Sequence, residues 1–173
     1  MKSFLLSIAA VLAFVQVTLA DNVTVKITDI HICCGHCVSG ISNTLSAIPG
    51  ITQTTDKDDQ VVEITGPDTA TVQKAADALV AAGFFGVSSS PDIKINADTG
   101  AKGVKVQSLK VEGVHLCCPK CVKAVNAALK DVPGVTGNTA EPKAPYFIVT
   151  GDFNDADVFA ALQKIGLTGK VGQ

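Results

Sequence analysis

The sequence predicts an α+β protein made of two tandem ferredoxin-like units. Each unit has the order βαββαβ, which gives a four-stranded antiparallel sheet with two helices on one face. Three observations predict this: an internal repeat at an offset of 84 residues, strand-type alternation opening each repeat, and a change to helical spacing just after a cysteine cluster.

The repeat is read residue against residue. His31, Cys33, Cys34, Cys37 and Val38 return as His115, Cys117, Cys118, Cys121 and Val122, and Pro49-Gly50 returns as Pro133-Gly134. Gly66 and Gly151 each close a Thr-Gly after an apolar alternating run, and Gly83 and Gly166 end the helical stretch that follows. Self-similarity on this scale marks repeated structural units.

Each unit reads the same way along the chain. "NVTVKITDI" alternates with period two and is rich in β-branched residues, so it reads as a strand. Val38, Ile41, Leu45 and Ile48 then fall at helical spacing, as do Val122, Val125, Leu129 and Val132. Both helical runs stop at a Pro-Gly turn. "GITQTTD" and "QVVEITG" read as two strands about a polar turn at 57–59; their counterparts are "GVTGNTA" and "YFIVTG". Second helices are expected over 68–82, with Val72, Ala76 and Leu79 inward, and over 154–165. A short last strand closes each unit.

Ahead of the repeats stands MKSFLLSIAAVLAFVQVTLA, with Lys2 as its one charge, an apolar run over 4–15 and small residues at Thr18 and Ala20. This reads as a signal peptide over 1–20, cleaved after Ala20, which places the protein in the periplasm or outside the cell. The expected organisation is therefore 1–20 signal, 21–90 first unit, 91–102 linker ("PDIKINADTGAK") and 103–173 second unit. Removing Lys2 from 14 basic and 16 acidic residues leaves 13 against 16, a net of −3. That balance argues against nucleic acid and against an anionic membrane surface. After signal cleavage no membrane association is expected.

All six cysteines lie in "HICCGHCVSG" and "HLCCPKCVKA". A disulfide-stapled scaffold spreads its cysteines to close long loops, so three and three in short clusters indicate a site. Each cluster falls where the first strand gives way to the first helix. Unpaired backbone N–H groups and the positive dipole end there favour thiolate over thiol. Two thiolates three residues apart across a helix start converge on one ion, and thiolates select soft ions such as Cu(I).

At this point each unit resembles a heavy-metal-associated domain, the module of copper chaperones, of the N-terminal arms of copper-transporting P-type ATPases and of periplasmic mercury-binding proteins. "CGHCVSGISNTLSAIPGI" and "CPKCVKAVNAALKDVPGV" are similar to that family's motif from its first cysteine onward. The resemblance implies metal ligands at Cys34 and Cys37 and at Cys118 and Cys121. It also implies a metal donor or acceptor protein as partner. The family's Met and Gly before the motif are Ile32 and His31 here, and Leu116 and His115 in the second unit. Cys33 and Cys117 stand at its variable position. Cys33, Cys117, His31 and His115 are thus auxiliary candidates, alternatively adjacent thiols and exposed loop imidazoles. A Cys₃His set is also a zinc set by composition.

The function read from these residues is exported storage, scavenging or transfer of Cu(I) through two independent CCxxC sites, with Zn(II) or Hg(II) as other ions. Met1 is the only methionine, which excludes thioether sites in the mature chain. Two readings from other classes stay open: a thiol–disulfide protein, and a disulfide-bonded structural protein that no longer binds metal. No catalytic constellation stands out, so no enzyme is expected. Phe84, after Gly83, is either an aromatic beside the site or core packing, with Leu167 as its counterpart.

Overall fold

A computed structural model describes residues 21–173. The signal peptide expected over 1–20 lies outside them. Among the described residues no helix is long and apolar enough to cross a membrane.

The first unit runs β1 (Val23–Thr28), α1 (Gly35–Ser46), β2 (Thr52–Asp56), β3 (Val61–Gly66), α2 (Thr69–Ala81) and β4 (Val87–Ser88). The second runs β5 (Lys105–Glu112), α3 (Pro119–Lys130), β6 (Val135–Asn138), β7 (Tyr146–Asn154), α4 (Asp155–Lys164) and β8 (Lys170–Val171). Two four-stranded antiparallel sheets form, ordered β2-β3-β1-β4 and β6-β7-β5-β8. This is the ferredoxin-like arrangement, twice.

Alternation decides the buried face of each sheet. Val25 and Ile27 of β1 point inward with Val62 and Ile64 of β3, and Leu109 and Val111 of β5 with Phe147 and Val149 of β7. Ile41 and Leu45 of α1, and Val72, Ala76 and Leu79 of α2, cover the first sheet. Val125 and Leu129 of α3, with Val158, Phe159 and Leu162 of α4, cover the second.

The helices differ at their starts, and the difference matters for the site. Asp68 caps α2 by accepting from Thr71 N–H at 2.7 Å, and Asn154 caps α4 by accepting from Ala156 N–H at 2.9 Å. The N-caps of α1 and α3 are Cys34 and Cys118, both extended, and neither side chain caps a backbone N–H. Cys37 N–H and Cys121 N–H donate instead to Cys34 O and Cys118 O at 3.0 and 3.1 Å, and the N–H groups before each have no side-chain cap.

The segment 91–102 is packed against both units. Ile93 is fully buried, and Lys94 exchanges two 2.8 Å hydrogen bonds with the Gln73 amide of α2. At its far end Val171 N–H donates to Thr99 O, and the buried Asp155 carboxylate accepts from Lys102 N–H and Val104 N–H at 2.9 Å each.

The two units dock through matching loops. Thr168 N–H donates to Gly83 O and Phe85 N–H to Gly166 O, both at 3.0 Å, and Phe84 bridges Leu167. Gly83 and Gly166 have φ of +86° and +76°. A Cβ at Gly83 would collide with the backbone of residues 113–115, and one at Gly166 with that of 29–31. Both the positive φ and the close approach of the other unit's backbone require glycine. The interface is thus reciprocal, with each unit presenting the same loop to the other's strand-to-helix connection.

Candidate metal centre

Docking brings the two cysteine clusters together. All six cysteines are free, and every sulfur has a neighbour in the other unit. Cys33 Sγ lies 3.5 Å from Cys121 Sγ, and its pseudo-symmetric counterpart, Cys37 to Cys117, is also 3.5 Å. Cys34 to Cys118 is 3.7 Å and Cys37 to Cys121 is 4.0 Å. Within the units, Cys33 to Cys37 is 3.7 Å, Cys117 to Cys121 is 3.5 Å and Cys118 to Cys121 is 3.8 Å.

The sequence reading of two independent sites is therefore corrected in its geometry. The clusters lie 84 residues apart in the chain but form one sulfur pool. The cause is the reciprocal docking, which aims the starts of α1 and α3 at each other. Cys33 and Cys117 belong to the pool and are partly buried, as are Cys34 and Cys118. Cys37 and Cys121 are fully buried, on the inner faces of α1 and α3.

His31 and His115 are not exposed loop residues. Each is partly buried, with a buried Nε2 that has no hydrogen-bond partner. His31 lies within ligand distance of Cys33 and Cys121. His115 stacks on Phe84 of the other unit, with ring centroids 4.3 Å apart. Its ring also lies over Gly40 of α1, where a Cβ would come within 2.8 Å of Cε1. Phe84 is both fully buried and beside the site, so the two readings of it coincide. His36 is exposed, with Nδ1 3.9 Å from Cys34 Sγ.

The thiols do not ionise alike. A hydrogen bond from the Cys121 thiol pulls Cys37 far down; burial opposes it, and the His115 imidazole adds to it. Giving that same hydrogen bond, together with burial, pushes Cys121 up. Burial also pushes Cys118 up, but the N–H groups of Cys121 and Lys120 are directed at its sulfur and bring it down to about 6. Both N–H groups belong to the first turn of α3, and that of Cys121 also donates to Cys118 O at 3.1 Å. Burial pushes Cys33 up to about 12 and raises Cys117 as well. The expectation of lowered values for the motif cysteines thus fails at Cys121, because a close sulfur pair shares its proton unequally.

Neither sequence nor period could show that the clusters meet. The signals that bear on it are Gly83 and Gly166, placed at the same point of each repeat, and the histidine ahead of each cluster.

No family model matches the chain. Among solved structures, the chain is similar to the N-terminal soluble domains of CopA from Bacillus subtilis, at 16% identity and a TM-score of 0.33, over 90% of this chain and 97% of that one. A superposition of that quality assigns no ligand.

Proposed function

We propose that the protein is an exported holder of soft metal ions, with Cu(I) as its principal cargo and Zn(II) or Hg(II) as other ions the thiolates accept. Cys34, Cys37, Cys118 and Cys121 are the ligands that the metal-binding motif implies, and Cys33 and Cys117 join them. The observation that carries this reading is the single pool of six free sulfurs, spaced 3.5–4.0 Å apart at two uncapped helix starts. Soft thiolates in a partly buried site select Cu(I) over harder ions. The resemblance of both cysteine motifs to heavy-metal-associated domains points the same way. The pattern at residues 1–20 supports export to the periplasm or beyond.

Storage or scavenging fits better than rapid transfer. The two docked units face their thiols inward, so a partner that donates or accepts the ion reaches few of them at once. No catalytic role is proposed. The test is anaerobic purification, a count of titratable thiols, and competition for Cu(I) against a chelator. The expected result is six reactive thiols in the metal-free protein and tight Cu(I) uptake that protects them. A fully reduced protein that fails to compete for Cu(I) contradicts the proposal.

A further inference from the structure

Resting on that soft-metal reading, we infer that the six thiols build one shared tetranuclear Cu(I)–thiolate site across the two units.

Around the pool, each sulfur has four close neighbours and one remaining partner. These remaining partners pair Cys33 with Cys117, Cys34 with Cys121, and Cys37 with Cys118. The other pairs lie 3.5–4.0 Å apart or fall together in triads whose sulfurs are within 4.8 Å of one another. Six points with three mutually opposite pairs are the corners of an octahedron.

Four alternate faces of that octahedron are sulfur triangles. They are Cys33-Cys34-Cys118, Cys34-Cys37-Cys117, Cys117-Cys118-Cys121 and Cys33-Cys37-Cys121. The first three are triads within 4.8 Å. The edges of the fourth are 3.7, 3.5 and 4.0 Å. Each cysteine belongs to two of these triangles. An ion on each triangle is three-coordinate and every sulfur bridges two ions, so six sulfurs hold about four Cu(I) with no sulfur left over.

The spacing agrees with three-coordination. With a thiolate–metal bond of about 2.3 Å, sulfurs stand about 4 Å apart around a trigonal ion and about 4.6 Å around a linear one. Nine of the twelve edges, at 3.5–4.0 Å, match the first, and the other three lie within 4.8 Å. Six thiolates and four monovalent ions leave two negative charges. The uncapped N-termini of α1 and α3 face that charge, each worth roughly half a positive charge. This also explains the third cysteine in each cluster. A CxxC pair suffices for one two-coordinate ion, whereas the octahedron is incomplete without Cys33 and Cys117.

The experiment is a Cu(I) titration of the reduced, full chain under anaerobic conditions, read by native mass spectrometry with a chromophoric Cu(I) chelator as competitor. The expected wild-type result is a single cooperative step to about four ions per chain, with one- and two-ion forms sparse. Cys33→Ser combined with Cys117→Ser removes two opposite corners, and capacity should fall to about two ions. Those side chains are only partly buried, and far-UV circular dichroism verifies that the variant is folded. A wild type that fills with two ions in independent steps, unchanged in the variant, overturns the shared cluster and leaves the soft-metal reading intact. Absence of tight Cu(I) uptake by reduced wild type overturns both. The wild-type stoichiometry decides the matter even if the variant does not fold.

Discussion

Gly166→Ala tests the docking on which the shared site depends. Gly166 has φ of +76°, and its carbonyl accepts from His31 N–H at 3.2 Å and Phe85 N–H at 3.0 Å, both in the other unit. Placing a Cβ at this φ costs about 1–2 kcal/mol. The Cβ would also run into the backbone of residues 29–31, so the loop must retreat and both hydrogen bonds weaken. At about 1 kcal/mol each, their loss brings the total to roughly 3–4 kcal/mol. Gly103→Ala is the matched control. Gly103 has φ of +69° with no atom within 4 Å of its Cβ position, so only the backbone cost applies. Urea unfolding of the reduced proteins should show Gly166→Ala losing about 2 kcal/mol more than Gly103→Ala. Equal losses would refute the claim that the loop contact between units stabilises the fold.

Three further predictions concern the surroundings of the site. Phe84→Ala removes a fully buried ring stacked on His115 and should cost about 3–5 kcal/mol in thermal or urea unfolding, with Phe84→Leu costing clearly less. Asp155→Asn replaces a carboxylate that accepts two backbone N–H groups and should cost about 1–3 kcal/mol at neutral pH. Although burial raises the Asp155 carboxyl, the N–H groups of Lys102 and Val104 hold it below the usual carboxylate value. Its contribution is therefore present above about pH 4 and lost as pH falls through the folded value, so a Tm series into acid should fall less steeply for the Asn variant. In the metal-free protein at pH 7, Cys118, brought down to about 6, should be alkylated by iodoacetamide before Cys117, which burial raises. Peptide mapping after brief labelling reads the order.

The fold was legible because its signals are local and repeated. Period-two runs ended at glycine, helical runs ended at Pro-Gly, and the 84-residue offset gave each element a second reading. The two second helices were expected one residue long at each end because Asp68 and Asn154 are N-caps, and Ala82 and Ile165 C-caps, outside the helices they bound. The cysteine motifs were legible for the same reason, since each lies within one strand-to-helix junction. Their convergence was not, because a repeat offset carries no information on how one unit faces the other. That information sits in the backbone approach at Gly83 and Gly166, where only the absence of a Cβ marks the contact. His31 and His115 looked like loop residues for a related reason: what buries them is the other unit. The segment 91–102 reads as polar linker by composition, yet Ile93 and the partly buried Ile95 anchor it, and one Ile-Lys-Ile among polar residues is too short to give a periodic signal.

The central claim, one sulfur pool serving both units, is tested most directly by copper-edge X-ray absorption of the fully loaded protein. The expected result is a first shell of about three sulfurs per ion and a distinct Cu···Cu shell, since ions on neighbouring triangles share sulfurs. A first shell of two sulfurs in linear geometry, with no metal–metal scattering, would contradict it and return the protein to two separate CxxC sites.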